Sequence, residues 1–195
     1  MKSYYQARAC EYDDWWLGHN LYADKHRPGW DEERGQLEGW IAALPPKHTL
    51  DIACGTGFMT RRLRGDVTGL DQSDAMLDVA REQVLGATFV QGDGLDLPFD
   101  DGAFERVFSS YFYCHLEEED RARYLTEVRR VAPELVIVGS RAQPGEQQER
   151  WDERLLKDGT RWQVFKRVFD PDALAAELGG RVLHSSHYFV MVTSP

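Results

Sequence analysis

Between residues 48 and 140 the chain alternates short apolar runs with longer stretches in which apolar residues recur at helical spacing. The runs at residues 49–53, 67–70, 87–90, 105–109 and 134–138 are brief and almost continuously apolar, as strands covered on both faces must be. Between them, Phe58, Met59 and Leu63 form one helical pattern. Met76, Leu77, Ala80 and Val84, behind a Ser73 cap, form a second, and Tyr124, Leu125, Val128 and Val131 a third. The acidic run at residues 117–120 reads as the first turn of that last helix, where negative charge meets the positive end of the helix dipole. Parallel strands need crossovers of this kind. The pattern therefore predicts an α/β fold built on an open, doubly wound sheet with helices on both faces.

The flanks read differently. Tyr5, Ala9, Tyr12 and Trp16 share one helical stripe, and Leu37, Trp40, Ile41 and Leu44 repeat the spacing, with Asp31 as N-cap and Pro45 and Pro46 ending the helix. Residues 143–149 suggest an exposed loop or a frayed helix start, and residues 161–169 a strand. Asp170 and Pro171 open a helix through Leu178 that Gly179 and Gly180 close. Residues 181–193 are strand-like, either as a hairpin turning at 185–187 or as one longer strand. The expected organisation is a single domain: a helical arm or lid (1–46), a core (47–140), and C-terminal strands and helix (141–195).

Composition narrows the function. At 195 residues the chain is one domain of ordinary size, able to bury roughly 70% of its unfolded surface without disulfides or a structural metal. Three scattered cysteines, Cys10, Cys54 and Cys114, read as reduced thiols. The longest aliphatic run, residues 135–138, is too short to span a bilayer, and Lys2, Arg8, Glu11, Asp13 and Asp14 break any secretory leader. A soluble cytoplasmic protein is expected. A net charge of −10 disfavours nucleic acid as a partner, the arginine pairs at 61–62 and 129–130 being too isolated to override it.

The densest chemical signal lies at the first strand-to-helix junction, LDIACGTGFMT (residues 50–60), where Gly55 and Gly57 leave bare backbone amides for a carboxylate or phosphate. The dinucleotide fingerprint is incomplete, since Thr60 stands at its third glycine. Asp71 ends the second strand and Asp93 follows the third. In a doubly wound sheet the carboxyl ends of neighbouring strands line one crevice, so Asp51, Asp71 and Asp93 converge there. Asp71 suits ribose hydroxyls and Asp93 an exocyclic adenine amine, although each also suits a turn or cap.

With these motifs the chain resembles the class I S-adenosylmethionine-dependent methyltransferases of small-molecule type, over roughly residues 45–140. LDIACGTG resembles the family's first motif, VTGLDQSDAMLDVA its second, FVQGDGLDLPF its third and FERVFSSYFYCHL its fourth. The resemblance implies a Rossmann-like, mostly parallel seven-stranded sheet with an antiparallel last strand, and S-adenosyl-L-methionine as cofactor. It implies that Asp51, Ala53, Gly55 and Gly57 border the methionine part, Asp71 the ribose, and Gln72 and Met76 one edge of the adenine. Asp93, Gly94 and Leu95 then read the adenine's polar edge, and Ser109 lies on the sulfonium side.

Methyl transfer asks mainly for alignment, and for a base only where the acceptor must lose a proton. His115, after the fourth strand, is the candidate catalytic residue, and a small organic molecule the expected acceptor at oxygen or nitrogen. The arm residues Tyr4, Tyr5, Tyr12, Trp15 and Trp16 are candidates to close over the site or simply to pack. Arg8 is placed either on the cofactor's carboxylate or in solvent. No metal is expected: His184 and His187, three apart on a strand, point to opposite faces. Cys114 beside His115 lacks the orienting third group that a thiol nucleophile needs. No membrane partner is expected, and a homodimer is compatible with the sequence. A nicotinamide-dependent oxidoreductase or a non-catalytic nucleoside-binding module are the competing readings.

Overall fold

The computed structural model describes residues 2–195. Five parallel strands, β1 (Thr49–Ile52), β2 (Val67–Asp71), β3 (Thr88–Gln91), β4 (Arg106–Ser110) and β5 (Glu134–Ser140), form the body of the sheet. Two further strands, β8 (Arg181–Ser185) and β9 (Phe189–Ser194), extend it to seven in the order β3-β2-β1-β4-β5-β9-β8, with β9 antiparallel to both neighbours. The order reverses at β1, whose residues pair with β2 on one side and β4 on the other (Asp51 opposite Gly69 and Phe108). The carboxyl ends of β1, β2 and β4 thus meet at one edge, where a doubly wound sheet forms its crevice.

The flanking helices follow the sequence pattern in part. In α4 (Asp74–Gln83) the Ser73 hydroxyl accepts from the Met76 amide at 3.3 Å, and Met76, Leu77 and Ala80 are buried. In α5 (Glu118–Val131) the first turn carries Glu118, Glu119 and Asp120. In α6 (Pro171–Leu178) Asp170 caps the amides of Asp172 and Ala173, and Gly179 ends the helix. The last segment resolves as the β8–β9 hairpin.

Four expectations fail. The helix expected after β1 is a single 3-10 turn, Thr60–Arg62. Left-handed backbone at Gly57 and Gly65 bounds that stretch, and Phe58 is drawn into a stack on Trp16 (centroids 5.2 Å apart, planes 4° apart). Tertiary packing thereby overrides propensity. The N-terminal stripe is split into α1 (Lys2–Arg8), a 3-10 turn and α2 (Tyr12–Leu17). In α3 (Trp30–Ala43) Gly29 takes the N-cap position and Asp31 lies in the first turn, while Trp40 is 47% exposed and outside the core. Residues 149–155, with no expected structure, form β6 (Glu149–Leu155), which pairs antiparallel with β7 (Arg161–Arg167) as a hairpin separate from the main sheet. Each polar residue of β6 alternates with its neighbour in exposure, which is why no apolar period marks it.

At the sheet edge opposite the crevice, Arg106 is 1% exposed; its Nε donates to Glu134 at 2.9 Å and one Nη to the Pro45 carbonyl at 2.9 Å. Lys47 reaches the same Glu134 oxygen at 2.7 Å. The trio ties β4 and β5 to the chain entering β1. Because stripping a buried cation of its carboxylate is costly, Glu134→Leu is expected to lower unfolding free energy by about 3 kcal/mol. The double variant Arg106→Met with Glu134→Leu should recover most of that loss. Urea denaturation measures both.

Candidate active site

The turn leaving β1 is held in a conformation that most residues avoid. Ala53, Gly55 and Gly57 all have positive φ (57°, 56° and 80°). The Gly55 amide donates to Asp71 Oδ2 at 3.0 Å and the Ser73 amide to Asp71 Oδ1 at 2.9 Å, so one carboxylate at the end of β2 fixes both this turn and the entry to α4. Burial raises the Asp71 pKa and these amides oppose the rise. The glycines differ in purpose. A Cβ on Gly55 would stand 3.7 Å from the Tyr12 ring, whereas one on Gly57 would lie 2.8 Å from Val84 Cγ2. Gly57 therefore lets the turn pack on α4. With no α-helix beyond the turn, its amides act without a helix dipole behind them.

The crevice beyond this turn is lined by Ala53, Gly55, Asp71, Gln72, Asp93 and Gly94, and by Ser110, Tyr111 and Phe112 after β4. Tyr5 and Tyr12 roof it. Asp93 is exposed at the rim, with Oδ1 accepting from the Leu95 amide at 3.0 Å. Leu95 itself and Met76 do not line the crevice, Met76 being buried in α4 beneath it. Ser109 does not line it either: it is buried and its hydroxyl donates to the Ile52 carbonyl at 3.3 Å. The residue that faces the crevice is Ser110, one step along β4, because successive side chains of a strand point to opposite faces.

Asp51 borders an adjoining recess together with Ala53, Phe58 and Ser110. Thr60, at the broken position of the fingerprint, donates its hydroxyl to Asp51 Oδ2 at 2.6 Å. Asp51 Oδ1 and Ser110 Oγ are buried and have no hydrogen-bond partner among the described residues. Burial pushes the Asp51 carboxyl up to about 7; the Thr60 hydrogen bond opposes the rise and nearby Asp71 adds to it.

A second chamber of about 290 Å³ opens beside the crevice. Tyr5, Tyr12 and Tyr111 line both spaces and so mark the passage between them. The N-terminal arm forms one wall. It is fastened to the core by Ser73 to Gln6 (2.8 Å) and Gln83 to Asp13 (3.0 Å), and to the β6–β7 turn by the Lys157 amide to Glu11 (2.9 Å). The hairpin forms the opposite wall, presenting Arg150, Asp152 and Arg154 from β6 and Val164 and Lys166 from β7. Arg8, neither solvated nor in the crevice, faces the chamber, 9% exposed and 4.8 Å over the Tyr12 ring.

His115, in a 3-10 turn after β4, also lines the chamber. Its Nδ1 lies 2.6 Å from the Phe165 carbonyl, which only accepts, so Nδ1 carries a proton and Nε2 is left free to receive one when the ring is neutral. Beneath it Cys114 Sγ sits 3.5 Å from Lys166 Nζ. Burial raises the Cys114 thiol, but His115 and Lys166 outweigh it and bring it down to about 6.

Residues 49–134 match a family described as a methyltransferase domain. A "DhpI-SAM-HEP complex" superimposes with a TM-score of 0.77 at 26% identity, covering 99% of this chain and 95% of that one. Residues 49–134 thus match a methyltransferase domain, and the chain as a whole shares the fold of that complex. Among curated methyltransferases, it is 35% identical over 96 residues to the demethylmenaquinone methyltransferase of Thermotoga maritima (47% of this chain, 41% of that protein). It is 36% identical over 132 residues to the malonyl-[acyl-carrier protein] O-methyltransferase of Serratia marcescens (65% and 50%). The chain thus spans half or less of the length of these relatives.

Three parts of the candidate site escaped the sequence reading: Ser110, Tyr111 and the cationic wall from β6. A period-two reading of ERWDERL would have exposed the last, since Arg150, Asp152 and Arg154 fall on one face.

The raised Asp51 pKa has a sign that stability measurements read. A carboxyl titrating near 7 when folded and near 4 when unfolded holds more protons in the folded chain between those values. Its contribution is full below pH 4 and is lost as pH rises to about 7. Relative to Asp51→Asn, the wild type is expected to lose about 2–3 kcal/mol between pH 5 and pH 8. Denaturation curves of both proteins across that range measure the difference.

Proposed function

We propose that this protein transfers a methyl group from S-adenosylmethionine to an oxygen or nitrogen of a small organic acceptor, with the donor in the crevice and the acceptor in the chamber. The observation that carries this reading is the joining of the two spaces at Tyr5, Tyr12 and Tyr111. The crevice suits an adenosyl group carrying a positive charge: its floor is bare backbone, Asp71 keeps lone pairs beyond those its two amides use, and Asp51 Oδ1 and Ser110 Oγ await partners. By this reading Asp71 accepts from ribose hydroxyls, Gln72, Asp93 and Gly94 border the adenine, and Ala53, Gly55 and Asp51 border the methionine part.

The bound donor supplies an electrophilic methyl on a sulfonium. The chain supplies alignment, which alone is worth several kcal/mol of barrier. An acceptor lone pair forms the new bond to carbon as the carbon–sulfur bond breaks and leaves its electron pair on sulfur. Tyr5, Tyr12 and Tyr111 exclude water from that line and set aromatic faces beside the cation. Where the acceptor is protonated, its proton passes to Nε2 of His115. The chamber's size favours a small acceptor over a macromolecule. Three free cysteines, Cys10 exposed and Cys54 and Cys114 buried, fit a reducing cytoplasmic setting, and among the described residues no helix is long and apolar enough to cross a membrane.

Isothermal titration with S-adenosylmethionine, S-adenosylhomocysteine and NAD tests the donor. Binding of the first two without NAD is expected, and Asp71→Asn should weaken both about tenfold or more. Preference for NAD would overturn the reading in favour of a nicotinamide enzyme. Because a cation arriving beside Asp51 lowers its pKa, binding of the sulfonium form at pH 7 should release a fraction of a proton. Titration in buffers of different ionisation enthalpy reads that release, and Asp51→Asn should abolish it.

A further inference from the structure

The chain is acidic overall, at −10, yet its chamber is not. Arg8, Arg141, Arg150, Arg154 and Lys166 line it against two carboxylates, Glu146 and Asp152. The pairing of these charges is uneven. Asp152 accepts from both Arg150 and Arg154 at 2.9 Å, and Glu146 takes a second Arg150 nitrogen at 3.0 Å. Arg8 and Lys166 form no ion pair with any carboxylate among the described residues, although they are 9% and 7% exposed. Arg8 Nε is buried and without a partner, its Nη2 finding only the Tyr22 hydroxyl at 3.4 Å. Lys166 has Cys114 Sγ at 3.5 Å and the Tyr111 ring at 4.7 Å. Even with Cys114 counted as a thiolate, the cations exceed the anions.

The hairpin sharpens the point. Arg150 stands directly opposite Lys166 in the β6–β7 register, on the face that lines the chamber. Like charges opposed across a strand pair repel, and a buried cation with no anion beside it, as Arg8 is, is costly to hold. Both costs vanish when an anion sits between them. Lys166, over Tyr111, also stands at the passage to the crevice.

We infer that the acceptor is a small organic oxyanion, a carboxylate or a phosphate-type group, seated between Lys166 and Arg8 with Arg150 and Arg154 behind. This rests on the methyl-transfer reading and names its substrate class. The arginines suit it, since a planar guanidinium meets either kind of oxyanion with two parallel hydrogen bonds.

The test begins with S-adenosylhomocysteine titrated into the protein, which judges the donor site independently. The saturated complex is then titrated with small carboxylates, with small phosphates and phosphonates, and with neutral amides and alcohols of matching shape. Binding of one anion set and not of its neutral counterparts is expected, and which set binds identifies the oxyanion. Lys166→Met and Arg8→Met should each weaken it tenfold or more while S-adenosylhomocysteine still binds; neither side chain lines the crevice, so retained cofactor affinity also certifies the fold. Equal binding of neutral and anionic compounds, no anion binding to a complex that holds S-adenosylhomocysteine, or anion affinity unchanged in both variants would overturn the inference and leave the donor reading standing. Failure of S-adenosylhomocysteine itself to bind would remove both.

Discussion

The Asp71 carboxylate is the contact on which the site is built. Its two oxygens take the amides of Gly55 and Ser73, joining the turn after β1 to the start of α4 across the carboxyl ends of neighbouring strands. A carboxylate is suited to this because it accepts at two oxygens at once, and the amides it binds oppose the rise in pKa that burial causes. Without it, a turn with three consecutive odd-numbered residues at positive φ (Ala53, Gly55, Gly57) has little to oppose its relaxation. The same oxygens border the crevice, so the group that shapes the cradle also presents charge to what lies there.

Around that cradle the chain builds two spaces of opposite character. The crevice is acidic, with Asp71 and Asp93 in its lining and Asp51 in the adjoining recess, and the chamber is basic. Separation of charge on this scale within one small domain needs scaffolds that do not share residues. The acids sit at strand ends of the sheet, whereas Arg8 sits on the arm and Arg150, Arg154 and Lys166 on a hairpin outside the sheet, with only Arg141 directly after β5. A positively charged donor and a negatively charged acceptor would thus be drawn to adjoining places, and reaction between them would neutralise both charges in a setting that solvates neither well.

The parallel core was legible because a strand buried on both faces is largely apolar; β1, β2, β4 and β5 are buried in this way, whereas β3, at the sheet edge, is only half-buried or exposed along its length. The glycine turn and the acids at strand ends were legible because the backbone and topology dictate them. The helix after β1 was misjudged: Phe58 and Met59 have helical spacing, but their partners, Trp16 among them, come from an arm whose docking no local pattern reveals. β6 was missed for a related reason. Its inward face is charged, and a hydrophobic period cannot announce a wall whose purpose is to be polar. Ser109 was chosen over Ser110 because motif spacing does not fix which face of a strand a residue takes, and a shift of one inverts it.

Tyr111 links the arm to the site. It has φ of 60°, which a bulky residue rarely adopts, and it sits at the carboxyl end of β4 where the crevice meets the chamber. Such a conformation persists only where its surroundings over-determine it. Here the Tyr111 amide donates to the Val138 carbonyl at 2.9 Å, and the ring is held edge-on by Trp15 and Trp16 at 5.1 and 5.2 Å. Both tryptophans belong to the arm, whose Trp16 is itself stacked on Phe58 and bound through its carbonyl to Trp30. The packing that keeps Tyr111 in place thus comes from the arm and not from the sheet. One set of indole rings therefore supports both the roof and the passage residue.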